Sequence, residues 1–262
     1  MHLSLAAEPV FHIGDFPVTN SIINTWIAIV VIVLFVVILR VKKITLVPKG
    51  AQNFGEYLIE FLLGFIDGVT HSRKKSEKFL PIVATIFIFV LILNWMGQLP
   101  GTGSIGLWKV KEGAKVLVPF LRPGTSDLNT TLALAVFAVI STHIFGIITI
   151  GFFKHVNKFF NFAGLVKAFK TLNPVKIFTG IVNFFIGLIE VFSEIAKTVS
   201  LSLRLFGNIF AGEVLLTVMA SLMAYIVPIP FMFLELLVGV VQATIFAMLT
   251  LVFMEVATHG AH

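Results

Sequence analysis

From Ile177 to Val227 the chain runs for 51 residues without a proline, apolar at most positions, with an arginine near the middle. As one helix it would be about 76 Å long at about 1.5 Å per residue. A bilayer's hydrocarbon core is only about 30 Å thick, so the run must be strongly tilted, bent or broken. Gly180, Gly187, Gly207 and Gly212 permit close packing or bending. The arginine, Arg204, is costly there: roughly 2.5–3.5 kcal/mol on insertion scales at the bilayer centre. Glu190, Glu194, Lys197, Asn208 and Glu213 share the run. At about 100° per residue, all of these except Glu213 fall within roughly 80° of Arg204. Glu213, nine residues on, points to the opposite side. Two polar environments divided by a fixed positive charge describe an interrupted channel. The bland alternative is that Arg204 pairs with a neighbouring carboxylate and only holds helices together.

Of 262 residues, 58% are hydrophobic and 12% charged, about half the charged share of a soluble domain. Several apolar segments reach the length of about 20 residues that spans a bilayer. They lack strand-like alternation, so a helical polytopic membrane protein is expected rather than a barrel. The net charge of +6 does not point to nucleic acid, because the cations sit in membrane-flanking loops. There is no cysteine, which excludes disulfide and thiol chemistry. No signal peptide is expected, since a basic n-region and a cleavage site are missing.

The expected organisation is a single membrane domain over 1–262. It has an external lead-in at 1–20, a span at 21–39, an amphipathic helix at 52–69, and spans at 79–99 and 128–153. A long tilted helix at 177–227 and a final tilted helix at 229–258 complete it. In the 52–69 segment, Phe54, Tyr57, Leu58, Phe61, Leu62, Phe65, Ile66 and Val69 follow helical spacing, with Gln52, Asn53, Glu56, Glu60 and Asp67 opposite. Such a helix lies along a membrane surface or against a partner, or caps the protein's own spans. His143, inside a span, either bonds a neighbouring helix or relays protons. Residues 40–78 hold eight Lys and Arg, residues 154–176 hold five, and the Gly- and Pro-containing loop between the second and third spans holds four. The positive-inside rule puts the first two groups in the cytoplasm, the N-terminus outside and the C-terminus in the cytoplasm. In the last span, Glu235 and Gln242 are seven residues apart and share a face. With Glu213 they supply two carboxylates and an amide to one polar lining.

No HExxH motif, zinc-ligand spacing, Walker loop or GxSxG elbow occurs. No catalytic residue, metal or cofactor is therefore expected. Inverted repeats, the mark of many secondary transporters, are not evident. An ion-coupled transporter stays open only because intramembrane charges mark ion pathways, and a purely structural scaffold is a third possibility.

At Ser200-Leu-Ser-Leu-Arg204-Leu-Phe-Gly-Asn208 and Ala211-Gly212-Glu213, the chain strongly resembles subunit a of the F-type ATP synthase. Pro174, Glu190, Lys197 and the stretch Val241-Gln242-Ala-Thr-Ile-Phe-Ala-Met-Leu-Thr250 also match, and Asp127-Leu-Asn129-Thr-Thr131, Asn94 and Pro100 match more weakly. The similarity covers most of the chain from about residue 20. It implies an all-α fold of about five membrane-embedded helices and one interfacial helix, the last two forming a long tilted hairpin against a ring of c subunits. It also implies a proton-conducting, non-catalytic subunit without a nucleotide site, in a complex with the c-ring, the b-subunit stalk and the remaining ATP synthase. Arg204 would face each passing c-subunit carboxylate, with Asn208 and Gln242 beside it. Glu213 and Glu235 would line the outer half-channel, with Asn94 and Asn129 as weaker members. Glu190, Ser193 and Glu194 would line the cytoplasmic one. The coupling ion is taken as H+ and the membrane as a bacterial plasma membrane. Some family members carry a histidine where Glu235 stands. Here two carboxylates would share the lining, and within contact distance one of them is expected to stay protonated.

Overall fold

Among the described residues, five helices are long and apolar enough to cross a membrane. The computed structural model describes residues 7–41, 45, 47–99, 102, 105–111, 114–160, 174–223 and 226–258. Lys42, Lys43, Lys167 and Lys170 from the charge count, Pro100, and the C-terminal residues 259–262 lie outside these. In order, the elements are a hairpin of β1 (Pro9–Ile13) and β2 (Phe16–Thr19), then α1 (Asn20–Val41), α2 (Ala51–Thr70) and α3 (Arg73–Met96). A second hairpin of β3 (Gly106–Lys111) and β4 (Ala114–Pro119) leads through a 3-10 turn, Gly124–Ser126, into α4 (Leu128–Ile150). Helices α5 (Phe152–Phe160), α6 (Pro174–Leu222) and α7 (Pro228–Thr258) follow. The fold is an all-α polytopic membrane protein with two small antiparallel hairpins.

The core lies where α3, α4, α6 and α7 meet and α2 lies across them. Phe79, Val83, Ile86 and Val90 of α3 pack with Leu205 of α6 and with Phe246, Leu251 and Met254 of α7. Small residues of α4, Ala135 and Ala138, close the same cluster, as close packing of membrane helices requires. α1 differs. Only its first turns are buried, at Asn20, Ser21, Asn24 and Ala28, while Val30, Val33, Leu34, Val36 and Val37 are exposed. A helix apolar all round and bare outwards is built for lipid.

Both hairpins depart from the sequence reading, which gave their segments no strand. Gly14 at φ +61 supplies the left-handed turn between β1 and β2. Asn20 ties the hairpins together: its N–H donates to Glu8 O at 3.1 Å and its side-chain amide to Pro119 O at 3.3 Å. α4 also stops earlier than Phe153. Gly151 adopts φ +94 after Ile150, and the chain restarts as α5. At its other end α4 is capped by Asp127, whose Oδ1 accepts from Asn129 N at 3.0 Å while its Oδ2 accepts from Ser21 Oγ at 2.8 Å. α6, by contrast, is an unbroken helix of 49 residues, about 73 Å at about 1.5 Å per residue.

Amphipathic α2 is apolar on more than one side. Leu62, Leu63 and Ile66 are buried, whereas Phe54, Tyr57, Phe61 and Phe65 are exposed.

Candidate functional site

Three polar groups lie along α6 and α7, one beside Arg204 and one towards each end. Leu201, Leu205 and Ile209 of α6 are buried, which turns Arg204 outward. The arginine is exposed on the surface of the chain. Among the described residues no carboxylate pairs with it, so a local ion pair does not account for its presence. Its neighbour Asn208 donates from Nδ2 to Gln242 Oε1 at 2.7 Å. That bond joins α6 to α7 one helical turn past the arginine. The side-chain amide nitrogen of Gln242 is buried without a hydrogen-bond partner, a high-energy arrangement for an amide.

On the opposite face Glu213 meets Arg122, whose Nε lies 3.0 Å from Oε1 and 3.1 Å from Oε2. Arg122 is 5% exposed, and its guanidinium carbon sits 5.9 Å above the Phe210 ring. The pair borders a cavity of about 160 Å³ that also touches Glu8, Gln98, Thr102 and Thr217. Such a volume admits several waters. Glu235 approaches from α7 with the Gln98 side chain as its polar neighbour. Its Oε1 is buried without a hydrogen-bond partner. It packs against Gly212 so closely that a Cβ there would collide with the carboxyl group. No hydrogen bond joins Glu213 and Glu235 among the described residues. Glu213 closes on an arginine instead.

Towards the other end of α6, Glu194 Oε1 is 2.7 Å from Lys197 Nζ, and Lys197 also lies 5.1 Å above the Phe253 ring. Glu194 Oε2 lies 3.7 Å from His143 Nε2, and His143 Nδ1 is 3.2 Å from His155 Nε2. Ser193 is exposed and Glu190 half-buried on the same stretch.

The weaker candidates sit elsewhere. Asn94 is fully buried; it donates to Gly239 O at 3.1 Å and accepts from Thr125 Oγ1 at 2.7 Å, which knits α3 to α7 and to the 3-10 turn. Asn129 is exposed on an open groove with Thr25 and Thr130, away from the Glu213 cavity. Sequence reasoning missed Arg122 and Gln98. Arg122 entered it only as one of the loop cations. Its available signal was position, between Leu121 and Pro123 just before a span.

The family model for the ATP synthase A chain matches residues 22–255. The ATP synthase subunit a of Moorella thermoacetica is 33% identical over 251 residues, covering 96% of this chain and 96% of that protein. That of Gloeobacter violaceus is 33% identical over 233 residues, covering 88% of this chain and 80% of that protein. That of Syntrophobacter fumaroxidans is 32% identical over 250 residues, covering 95% and 88%.

Proposed function

The chain belongs to the ATP synthase A chain family, and on that premise we propose how it carries protons through the membrane sector of an F-type ATP synthase. Two aqueous half-channels open to opposite sides of the membrane, and neither crosses it. Each delivers protons to, or takes them from, the carboxylates of a ring of c subunits that turns against α6 and α7. The b-subunit stalk holds this chain against rotation.

The observation that carries the reading is Arg204, an exposed cation in a mostly apolar helix with no carboxylate of its own among the described residues. A guanidinium in that setting needs an anion, and a c-subunit carboxylate arriving from outside the chain would supply it. A carboxylate enters lipid only when neutral, because an unpaired charge there is too costly. A ring carboxyl therefore has to be protonated from one half-channel before it leaves, and it loses the proton to the other half-channel as it meets Arg204. The fixed positive charge also stops protons from passing straight between the two. A potential of 100 mV supplies about 2.3 kcal/mol per charge moved, which several protons together convert into rotation.

In this reading the cavity bordered by Arg122, Glu213 and Gln98 is the outer half-channel, and Glu235 meets it through Gln98. Asn94 knits α3 to α7, and Asn129 lies on a separate groove. The Glu190, Ser193 and Glu194 stretch is the cytoplasmic half-channel. Asn208 and Gln242 hold the hairpin in register beside the arginine. The membrane is a bacterial plasma membrane, with the N-terminal hairpin outside.

Arg204→Ala in the assembled complex tests it. ATP-driven proton pumping in inverted vesicles should fall to background while subunit composition is unchanged. Pumping near the parental rate would overturn the role of Arg204.

A further inference from the structure

The histidine pair is not needed by the half-channel as described so far, yet it joins it. His143 on α4 stands between Glu194 of α6 and His155 of α5: one ring nitrogen faces the carboxyl at 3.7 Å and the other faces the second imidazole at 3.2 Å. The rings stack edge to face with Phe159, at centroid distances of 5.5–5.7 Å. This apolar collar fixes both rings in orientation. Gly146 makes the approach possible, because a Cβ there would come within 2.8 Å of His155 Nδ1 and 3.2 Å of Ala257 O. The side-chain exposures are 18% for Glu194 and 29% for His143.

We propose that His143 and His155 form a two-imidazole wire that extends the cytoplasmic half-channel from Glu194 to the first turn of α5. The proposal rests on the half-channel reading above. A hydrogen bond between two imidazoles requires one nitrogen to donate and the other to accept. The two ring nitrogens of His143 are therefore linked: the one that donates to His155 leaves the other free to accept from Glu194. In the transfer the O–H bond of the Glu194 carboxyl breaks and an N–H bond forms at His143 Nε2. The His143 Nδ1–H bond then breaks and an N–H bond forms at His155 Nε2. What is left is a carboxylate on α6, held by Lys197, and an imidazolium on α5. His155 itself is 5% exposed, with Phe152, Phe153 and Lys154 on the same turn exposed, so the last ring of the wire lies beneath the surface. Each step reverses for flow in the other direction. Among the described residues at this end, Lys75 Nζ pairs with Glu255 Oε1 at 2.8 Å and Lys197 with Glu194, and Glu190 and Lys154 are the further charged groups.

The test uses the whole complex in inverted vesicles, with passive proton conductance measured after removal of the catalytic head. His143→Gln keeps a hydrogen-bonding side chain but cannot pass a proton, and conductance should fall roughly a hundred-fold, at the low end of what a positioned proton carrier contributes. Imidazole added on the cytoplasmic side should restore it, which no purely structural role would allow. A conductance within about two-fold of the parent, or a loss that imidazole leaves untouched, overturns the wire. His155→Gln in the same vesicles should lose conductance to a similar degree. Parental conductance in His155→Gln overturns the wire even if the His143 variant does not assemble. ATP-driven pumping in vesicles that keep the catalytic head, with Arg204→Ala beside His143→Gln, separates the two readings. If Arg204→Ala abolishes pumping while His143→Gln behaves as the parent, only the wire falls. If Arg204→Ala pumps normally, the half-channel reading falls with it.

Discussion

Gly212 and Glu235 illustrate how a single missing carbon can set up a site. The α7 carboxyl occupies the space in which any other residue on α6 would place its Cβ. Gly212→Ala should therefore displace Glu235 from Gln98 and the outer cavity, even though alanine favours a helix over glycine by about 1 kcal/mol. The expected outcome is a complex at least as stable as the parent with proton flux reduced several-fold, measured by ATP-driven pumping alongside thermal unfolding. Parental flux would show that the carboxyl group relocates without consequence. Arg122 belongs to the same scale. Charge counting placed it in a loop, but the fold buries it against Glu213, which makes that carboxylate an ion-pair partner rather than half of a two-acid lining. Arg204 shows what sequence reading could and could not reach. The cost of a cation in an apolar run is legible from residue types, whereas its outward direction depends on which face of α6 packs inward.

At the scale of elements, long apolar runs announce spans because no alternative satisfies the backbone in lipid, and the all-α polytopic class follows from them directly. Short strands give no comparable signal. The β1–β2 hairpin depends on one positive-φ glycine and on a contact with a second hairpin 99 residues away, from Asn20 to Pro119, and such long-range pairing leaves little periodicity to read. α2 is an intermediate case. Its helical spacing is plain, but spacing alone could not choose between lipid and the protein's own spans. The helix uses both, with Leu62 and Ile66 in the core and Phe54 and Phe61 bare. Leu62→Ala or Ile66→Ala should cost about 2–5 kcal/mol, while Phe54→Ala should leave unfolding in detergent within about 0.5 kcal/mol. Equal effects at the buried and exposed positions would contradict the docking of α2 on α3.

Across the whole molecule, the two hairpins and the Arg122 cavity lie at one end of the bundle, and the Lys75–Glu255 pair, the histidines and Lys154 at the other. Because the chain has no cysteine, single cysteines can report sidedness cleanly. Trp108→Cys, at a position 69% exposed, should react with a membrane-impermeant maleimide from the external face only, and Lys154→Cys from the cytoplasmic face only. The opposite pattern would invert the topology.

Beside the polar stripe that carries Arg204, α6 bares an apolar flank, with Phe178, Ile181, Phe185, Ile189, Phe192, Ile195, Val199 and Leu203 exposed. Dispersion contacts are individually weak and have no preferred angle, whereas each hydrogen bond would fix one orientation. A surface of this kind works as a dry bearing. A partner sliding past it would meet a nearly level energy profile, with an electrostatic detent where Arg204 borders it, so that charge and not friction would set the stopping point of each step.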